Sequence, residues 1–431
     1  MIIKRWLWLI LLPLALEAAP PIQHWQTDNG VRVYFIEAPD LPMVDVRIVF
    51  DAGSARDGEK AGLAALTNAL LDEGAGDLDA DAIAEGIESR GATLELGSAR
   101  DMAWIAVRSL NTPSLLEPVA DILAWMLKAP TFPEKALQRE KDAMLIALKD
   151  MEESPASLAE RAFYQAVYGR HPYASPPEGK EDTLKALTRR DVVAFHRRFY
   201  GARNAVLAIV GALSREQAEA LARRLTKGLP PGAPAPPLPP VPEPEKPSKV
   251  FIGRDTTQTH LRMGQPGMSR KDPDYFPLYV GNHVLGGGGL VSRLSERIRE
   301  AEGLSYSVYS YFIPMRRKGP FIMGAQTKNE KADRTLELME NTLRDFVAHG
   351  PTEEELTASK KNIIGGFPLR IDTNKEQVEY LAMIGFYDLP LDYLDTFTKR
   401  VEAVTLEAVK DAFRRRIHPD RMVTVRVGKE R

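Results

Sequence analysis

The chain has 431 residues, enough for two ordinary domains, and its 44% hydrophobic and 27% charged content is that of a soluble globular protein. A formal net charge of −2 gives no bulk attraction for nucleic acid or an anionic membrane surface. Having no cysteine excludes a disulfide framework and a lipid-modified cysteine anchor.

At the start, Lys4 and Arg5 precede an apolar run over 6–16, broken only by Pro13, and Ala18 and Ala19 follow. A basic stretch, an apolar stretch of about ten residues and a small-residue exit describe a secretory signal peptide, assigned to 1–19. The run is too short to span a bilayer comfortably, so no transmembrane segment is expected in the mature chain. Glu17 is unusual beside a cleavage site, which leaves an uncleaved anchor as the alternative. With only two basic residues and no Ser, the segment is not built like a mitochondrial presequence. Export to a bacterial periplasm is the expectation, and a chain without Cys avoids unwanted disulfides there.

Alternating strands follow, VRVYFIEA at 31–38 and VDVRIVFDAG at 44–53. In GLAALTNALLDE, 62–73, Leu63, Leu66, Leu70 and Leu71 recur at helical spacing, giving a helix that packs by one face. A further helical stretch covers 117–128. The segment RHPYASPPEG, 170–179, holds a lone His171 in a Pro-rich loop, a structural rather than a catalytic setting.

The stretch 186–211, ALTRRDVVAFHRRFYGARNAVLAIVG, aligns without gaps on 403–428, AVTLEAVKDAFRRRIHPDRMVTVRVG, at an offset of 217 residues. Thr188 matches Thr405, Arg197 and Arg198 match Arg414 and Arg415, and Gly211 matches Gly428. Each copy reads as a Thr-capped helix, a turn and an alternating strand. A match over a whole helix–strand unit argues for duplication. Between the copies lies PPGAPAPPLPPVPEPEKP, 230–247, whose prolines favour extended geometry and a semi-rigid spacer. The chain therefore divides into 20–229, the linker 230–247 and 248–431. The second half has a strand at THLRMG, 259–264, and a helix over 335–348. Grouped strands and helices predict an α+β fold: two homologous domains in tandem, each a mostly antiparallel sheet with helices on one face, forming a clamshell. The basic groups Arg316 to Lys318 and Arg414 to Arg416 read as a loop and a solvated helix end.

The most informative stretch is LGGGGLVSRLSERIREAEGLSYSVYS, 285–310. Gly286 to Gly289 can take backbone angles closed to other residues, Ser292 is a candidate N-cap, and Gly303 sits where a helix would stop in left-handed geometry. A strand follows, with Leu304, Tyr306 and Val308 expected on one face. Arg299 and Tyr306 then project toward one edge as donors able to grip a peptide carbonyl. The plainer alternatives are a cation complementing a helix C-terminus and a half-buried strand aromatic. A phosphate cradle at the glycines lacks the Lys-Ser/Thr that should follow.

Metal chemistry finds little support in the residues. The seven histidines are His24, His171, His196, His260, His283, His349 and His418, and no two lie three or four apart, so no helix presents a His pair. No G-x-S-x-G elbow occurs.

The segment 285–310 resembles the second half of the pitrilysin/insulinase-type zinc metallopeptidases, in the branch with subunits of about this length. The resemblance implies a mitochondrial-processing-peptidase-like fold of two such domains. It implies that Arg299 and Tyr306 hold the substrate chain, with Gly287 and Gly288 as further contacts. The family's H-x-x-E-H zinc motif corresponds to 62–73. There Ala65 and Ala69 stand for the two histidines, Asn68 for the catalytic Glu, and Ala147, seven residues after Glu140, for the third ligand. The resemblance thus implies a member with an emptied zinc site and no bound cofactor, paired with a homologous H-x-x-E-H-bearing chain that carries the zinc and acting on peptides or unfolded proteins. A non-enzymatic peptide-binding or scaffold protein of the cell envelope is the alternative.

Overall fold

The computed structural model describes residues 21–430, so the signal peptide assigned to 1–19 lies outside the described residues. The first half builds a six-stranded sheet in the order Gln23–Gln26, Arg32–Glu37, Ala205–Gly211, Met43–Phe50, Ala103–Leu110, Thr93–Ser98. The second builds five strands in the order Ser305–Phe312, Pro320–Lys328, Gln258–Pro266, Val423–Gly428, Ser248–Gly253. Each sheet is antiparallel apart from one pair: Ala205–Gly211 runs parallel to Arg32–Glu37, and Val423–Gly428 runs parallel to Ser248–Gly253.

These parallel strands are the ends of the repeat. The helix Arg189–Phe199 and the helix Leu406–Arg416 are offset by 217 residues at both ends, and Thr188 and Thr405 each accept a backbone N–H as N-cap. In the first half, Val44, Val46, Ile48 and Phe50 point with Ile105 and Val107 into a core beneath the half's own helices. Alternate residues on those strands point the other way, because side chains alternate across a strand.

That second face is covered by the other half. The helix Asn374–Phe386 crosses the first sheet, and its Leu381 and Ile384 share a buried cluster with Val49, Val206, Ala208 and Val210. Reciprocally, the helix Pro155–Tyr168 of the first half crosses the second sheet, burying Phe163 and Tyr164 with Ile322, Val423 and Val425. Helices on one face only, as the sequence pattern predicts, is therefore incomplete. Each sheet is a sandwich filling, and its outer layer is one helix exchanged from its sister. Glycines permit both crossings. A Cβ on Gly385 would lie 2.5 Å from Tyr34 Cε2 and Val206 Cγ1, and one on Gly264 would lie 2.8 Å from Phe163 Cζ.

The hairpin loops of the two sheets meet at the junction. Asp101, buried, accepts from the Tyr173 hydroxyl (2.6 Å), the Tyr387 hydroxyl (3.0 Å) and the Arg316 backbone N–H (2.6 Å). Arg316 also donates to the Phe386 carbonyl, and Arg317 Nε donates to the Leu238 carbonyl. The loop expected at 316–318 is present, but Arg316 and Arg317 fasten the halves together. Nor is the end of Leu406–Arg416 freely solvated: Arg415 and Arg416 pair with Asp274 at 2.9 and 3.1 Å. The Pro-rich linker is extended and pinned to the first half at the Pro230, Pro231, Pro236 and Pro239 carbonyls. His171 is one of these pins. Its Nδ1 accepts from Tyr173 N and its Nε2 donates to Pro239 O.

Candidate functional site

Asp57 fixes the start of the helix Leu63–Ala69. Its carboxylate accepts from the backbone N–H groups of Gly62 (2.9 Å) and Ala64 (2.8 Å), and burial raises its pKa to about 7. Leu63, Leu66, Leu70 and Leu71 are buried, so the packing face survives. Ala65 and Ala69, one turn apart, are the half-buried positions of this helix. Asn68 is 2% exposed and donates to the Trp104 carbonyl at 3.1 Å and the Tyr200 hydroxyl at 3.4 Å. An amide tied to a carbonyl cannot take a proton from water, so Asn68 is a packing residue. Ala147 is exposed on the helix Glu134–Glu153, where Glu140 pairs with its neighbour Arg139 at 3.5 Å.

A zinc site needs three converging protein ligands and an open fourth position. Three methyl groups supply none, and among the described residues no three His, Cys, Asp or Glu side chains are grouped to hold a metal ion. Zinc therefore does not fit this chain at the corresponding positions, and no step of chemistry runs through it here.

The glycine run departs from its expected geometry. Gly289 alone of the four has a positive φ, +65°. Gly286 and Gly287 lie inside a π-helical turn, His283–Gly287, and are small for another reason. A Cβ on Gly286 would lie 2.5 Å from Ser310 N, one on Gly287 2.7 Å from Asn282 Nδ2, and one on Gly288 2.7 Å from His283 O. Close approach, not left-handed backbone, demands three of the glycines. Ser292 is extended and its hydroxyl accepts from Ser295 N at 3.4 Å, while Gly303 has φ +59°.

Arg299 sits in the π-helical segment Ser295–Glu300, its side chain 36% exposed and, among the described residues, paired only with adjacent Glu300 at 3.4 Å. Tyr306 does not share a face with Leu304 and Val308, as alternation predicts. Ser305 pairs with Thr327 and Ser307 with Gln326, so Tyr306 is the extra residue of a β-bulge. Ser305 Oγ fixes the bulge by sharing its one proton between the Ser307 and Gln326 carbonyls, at 2.8 and 2.7 Å. Leu304 and Val308 are buried, whereas Tyr306 is 91% exposed. Its hydroxyl has no partner among the described residues. Both donors are thus available to an outside acceptor. Tyr309 and Tyr311 went unmarked in the sequence reading, although their alternation in SYSVYSYF was a usable signal; they stack at 5.2 Å on the same strand.

Residues 32–180 match the insulinase M16 peptidase domain, and residues 186–363 match the domain described as the peptidase M16 inactive domain. A solved structure described as a peptidase M16 inactive domain from Pseudomonas fluorescens is 39% identical, with a TM-score of 0.92 over 95% of this chain and 98% of that one. A Helicobacter pylori protein described as the non-peptidase homolog YmxG is 27% identical over 91% of both chains. The periplasmic protease PqqL of Escherichia coli shares the fold, with a TM-score of 0.78 at 18% identity, over 96% of this chain but 46% of that one. Two tandem M16 domains and a 39% identical relative described as a peptidase M16 inactive domain make this chain an inactive-type homologue within the M16 insulinase peptidase family.

Proposed function

We propose that this chain is the non-catalytic, substrate-binding subunit of a heterodimeric periplasmic zinc metallopeptidase acting on peptides or unfolded proteins. The observation that carries the reading is the contrast within one chain. Positions 65, 69 and 147 hold Ala, while Tyr306 is exposed, Arg299 is half-exposed, and among the described residues neither has a strong partner. A homologous partner bearing H-x-x-E-H supplies the zinc, and Arg299 and Tyr306 orient the peptide and stabilise the developing oxyanion. That the chain matches less than half the length of a periplasmic protease supports a unit that works in pairs.

The test is affinity purification of the tagged chain from its native envelope, with mass spectrometry of what co-purifies. A stoichiometric H-x-x-E-H partner is expected, and Arg299→Ala in the assembled complex should lower turnover about a hundredfold without dissociating it. Elution alone, or unchanged turnover in the variant, overturns the reading.

One observation favours a second reading. The strand Ser305–Phe312 is an edge of its sheet, the position at which an extended chain can add as a further strand. A peptide-holding scaffold would use that edge without any partner.

A further inference from the structure

The exchanged helices leave one end of each sheet's outer face uncovered, and the registers make the two ends directly comparable. In the first half one cross-strand row reads Thr93, Arg108, Asp45 and the next Glu95, Ala106, Arg47. In the second half the 217-residue repeat sets Arg262 in the place of Arg47, so the equivalent rows read Ser307, Gln326, His260 and Tyr309, Gly324, Arg262, with Tyr311, Ile322, Gly264 the row beyond. The first surface is neutralised internally: Arg108 pairs with Asp45 at 3.0 Å, Arg47 with Glu379 at 3.5 Å, and Lys375 with Glu95 at 3.4 Å.

The second surface is not. Glu95 has become Tyr309 and Ala106 has become Gly324, and Tyr309 lies over that glycine so closely that a Cβ there would sit 2.6 Å from the ring's Cζ and 2.9 Å from Arg262 Nη1. Arg262 lies 5.5 Å from the Tyr309 ring centroid, and among the described residues its one hydrogen bond is to the carbonyl of Leu261. Among the described residues no carboxylate is within ion-pair distance of it. Tyr311, 38% exposed, extends the ring platform along the strand. The groove therefore has a cationic end without a counter-charge and an aromatic floor.

We infer that this groove binds an extended peptide segment presenting an aromatic side chain beside a carboxylate. The ring stacks on Tyr311 and the carboxylate takes the place at Arg262 that an internal acid fills in the sister half. Stacked rings and a guanidinium–carboxylate pair in a partly desolvated groove are each selective interactions. The role in substrate selection rests on the subunit reading above, but the binding itself is a property of this chain alone.

The test is calorimetric titration of the full chain with the acetylated, amidated hexapeptide Ala-Ala-Phe-Glu-Ala-Ala and its Phe→Ala and Glu→Gln analogues. Each analogue should bind about tenfold more weakly. Arg262→Gln should erase the preference for Glu over Gln while keeping that for Phe over Ala. Gly324→Ala, which displaces Tyr309, should weaken all three peptides. If Arg262→Gln does not fold, raising salt on the wild type should weaken only the two Glu-containing peptides. Equal binding of the three peptides, no binding, or a Glu preference that persists in Arg262→Gln overturns the inference. If the groove fails while Arg299→Ala still cripples the complex, only this inference falls. If the groove binds but no partner chain exists, the subunit reading falls and the recognition stands.

Discussion

Gly385→Ala sets helix propensity directly against the reciprocal crossing of the halves. In an isolated helix the change gains up to about 1 kcal/mol. Here the new Cβ would lie 2.5 Å from Tyr34 Cε2 and Val206 Cγ1, against an ordinary carbon–carbon contact of roughly 3.5–4.0 Å. Neither neighbour can yield easily. Val206 is fully buried and β-branched, and Tyr34 is buried and stacked on His24 at 4.3 Å. Overpacking of this kind costs roughly 1–3 kcal/mol, and because the overlap of about 1 Å is on two sides, the steric term should win. A net loss of about 1–2 kcal/mol is expected, read as a lower urea midpoint at unchanged slope. Gly365→Ala is the control, since nothing lies within 4 Å of its added Cβ, and it should hold or raise the midpoint. If Gly385→Ala is as stable as Gly365→Ala, the halves are not packed through this helix.

Burial lowers the pKa of His196 to about 4, so neutral His196 contributes stability that is full above the unfolded value near 6.5 and is lost as pH falls through 4. The loss is about 3 kcal/mol and should be absent in His196→Gln, measured by urea unfolding at pH 7 and pH 4. Asp57 has the opposite sign. Its raised pKa gives stability that is full below about 3.9 and is lost as pH rises through about 7, so Asp57→Asn should flatten the neutral limb of the same profile. Asp101→Asn leaves one of three buried donors without an acceptor and should cost about 1–3 kcal/mol; an unchanged midpoint would show that the junction does not depend on it. The purified chain should carry no stoichiometric zinc by elemental analysis, and a chelator should leave its unfolding midpoint unmoved.

Much of this architecture was legible because it is local or repeated. Alternation along 31–38 and 44–53 fixed two strands, the 217-residue offset fixed the duplication, and Thr188 and Thr405 capped the helices where the repeat placed them. That positions 65, 69 and 147, where the family resemblance puts zinc ligands, hold Ala needed no coordinates, and a methyl group cannot bind a metal. What tertiary structure alone decided depends on long-range register and on the neighbours each group meets. Strand periodicity put Tyr306 beside Leu304 and Val308, but hydrogen bonds from Ser305 to Ser307 and Gln326 bulge the strand and turn Tyr306 outward. The glycine run announced unusual backbone, yet Ser310, Asn282 and His283 explain three of its members by crowding. No periodicity could reveal that each sheet's second face is covered by a helix of the other half. An amphipathic segment specifies that it must be buried, and only the packing of the whole chain specifies against what.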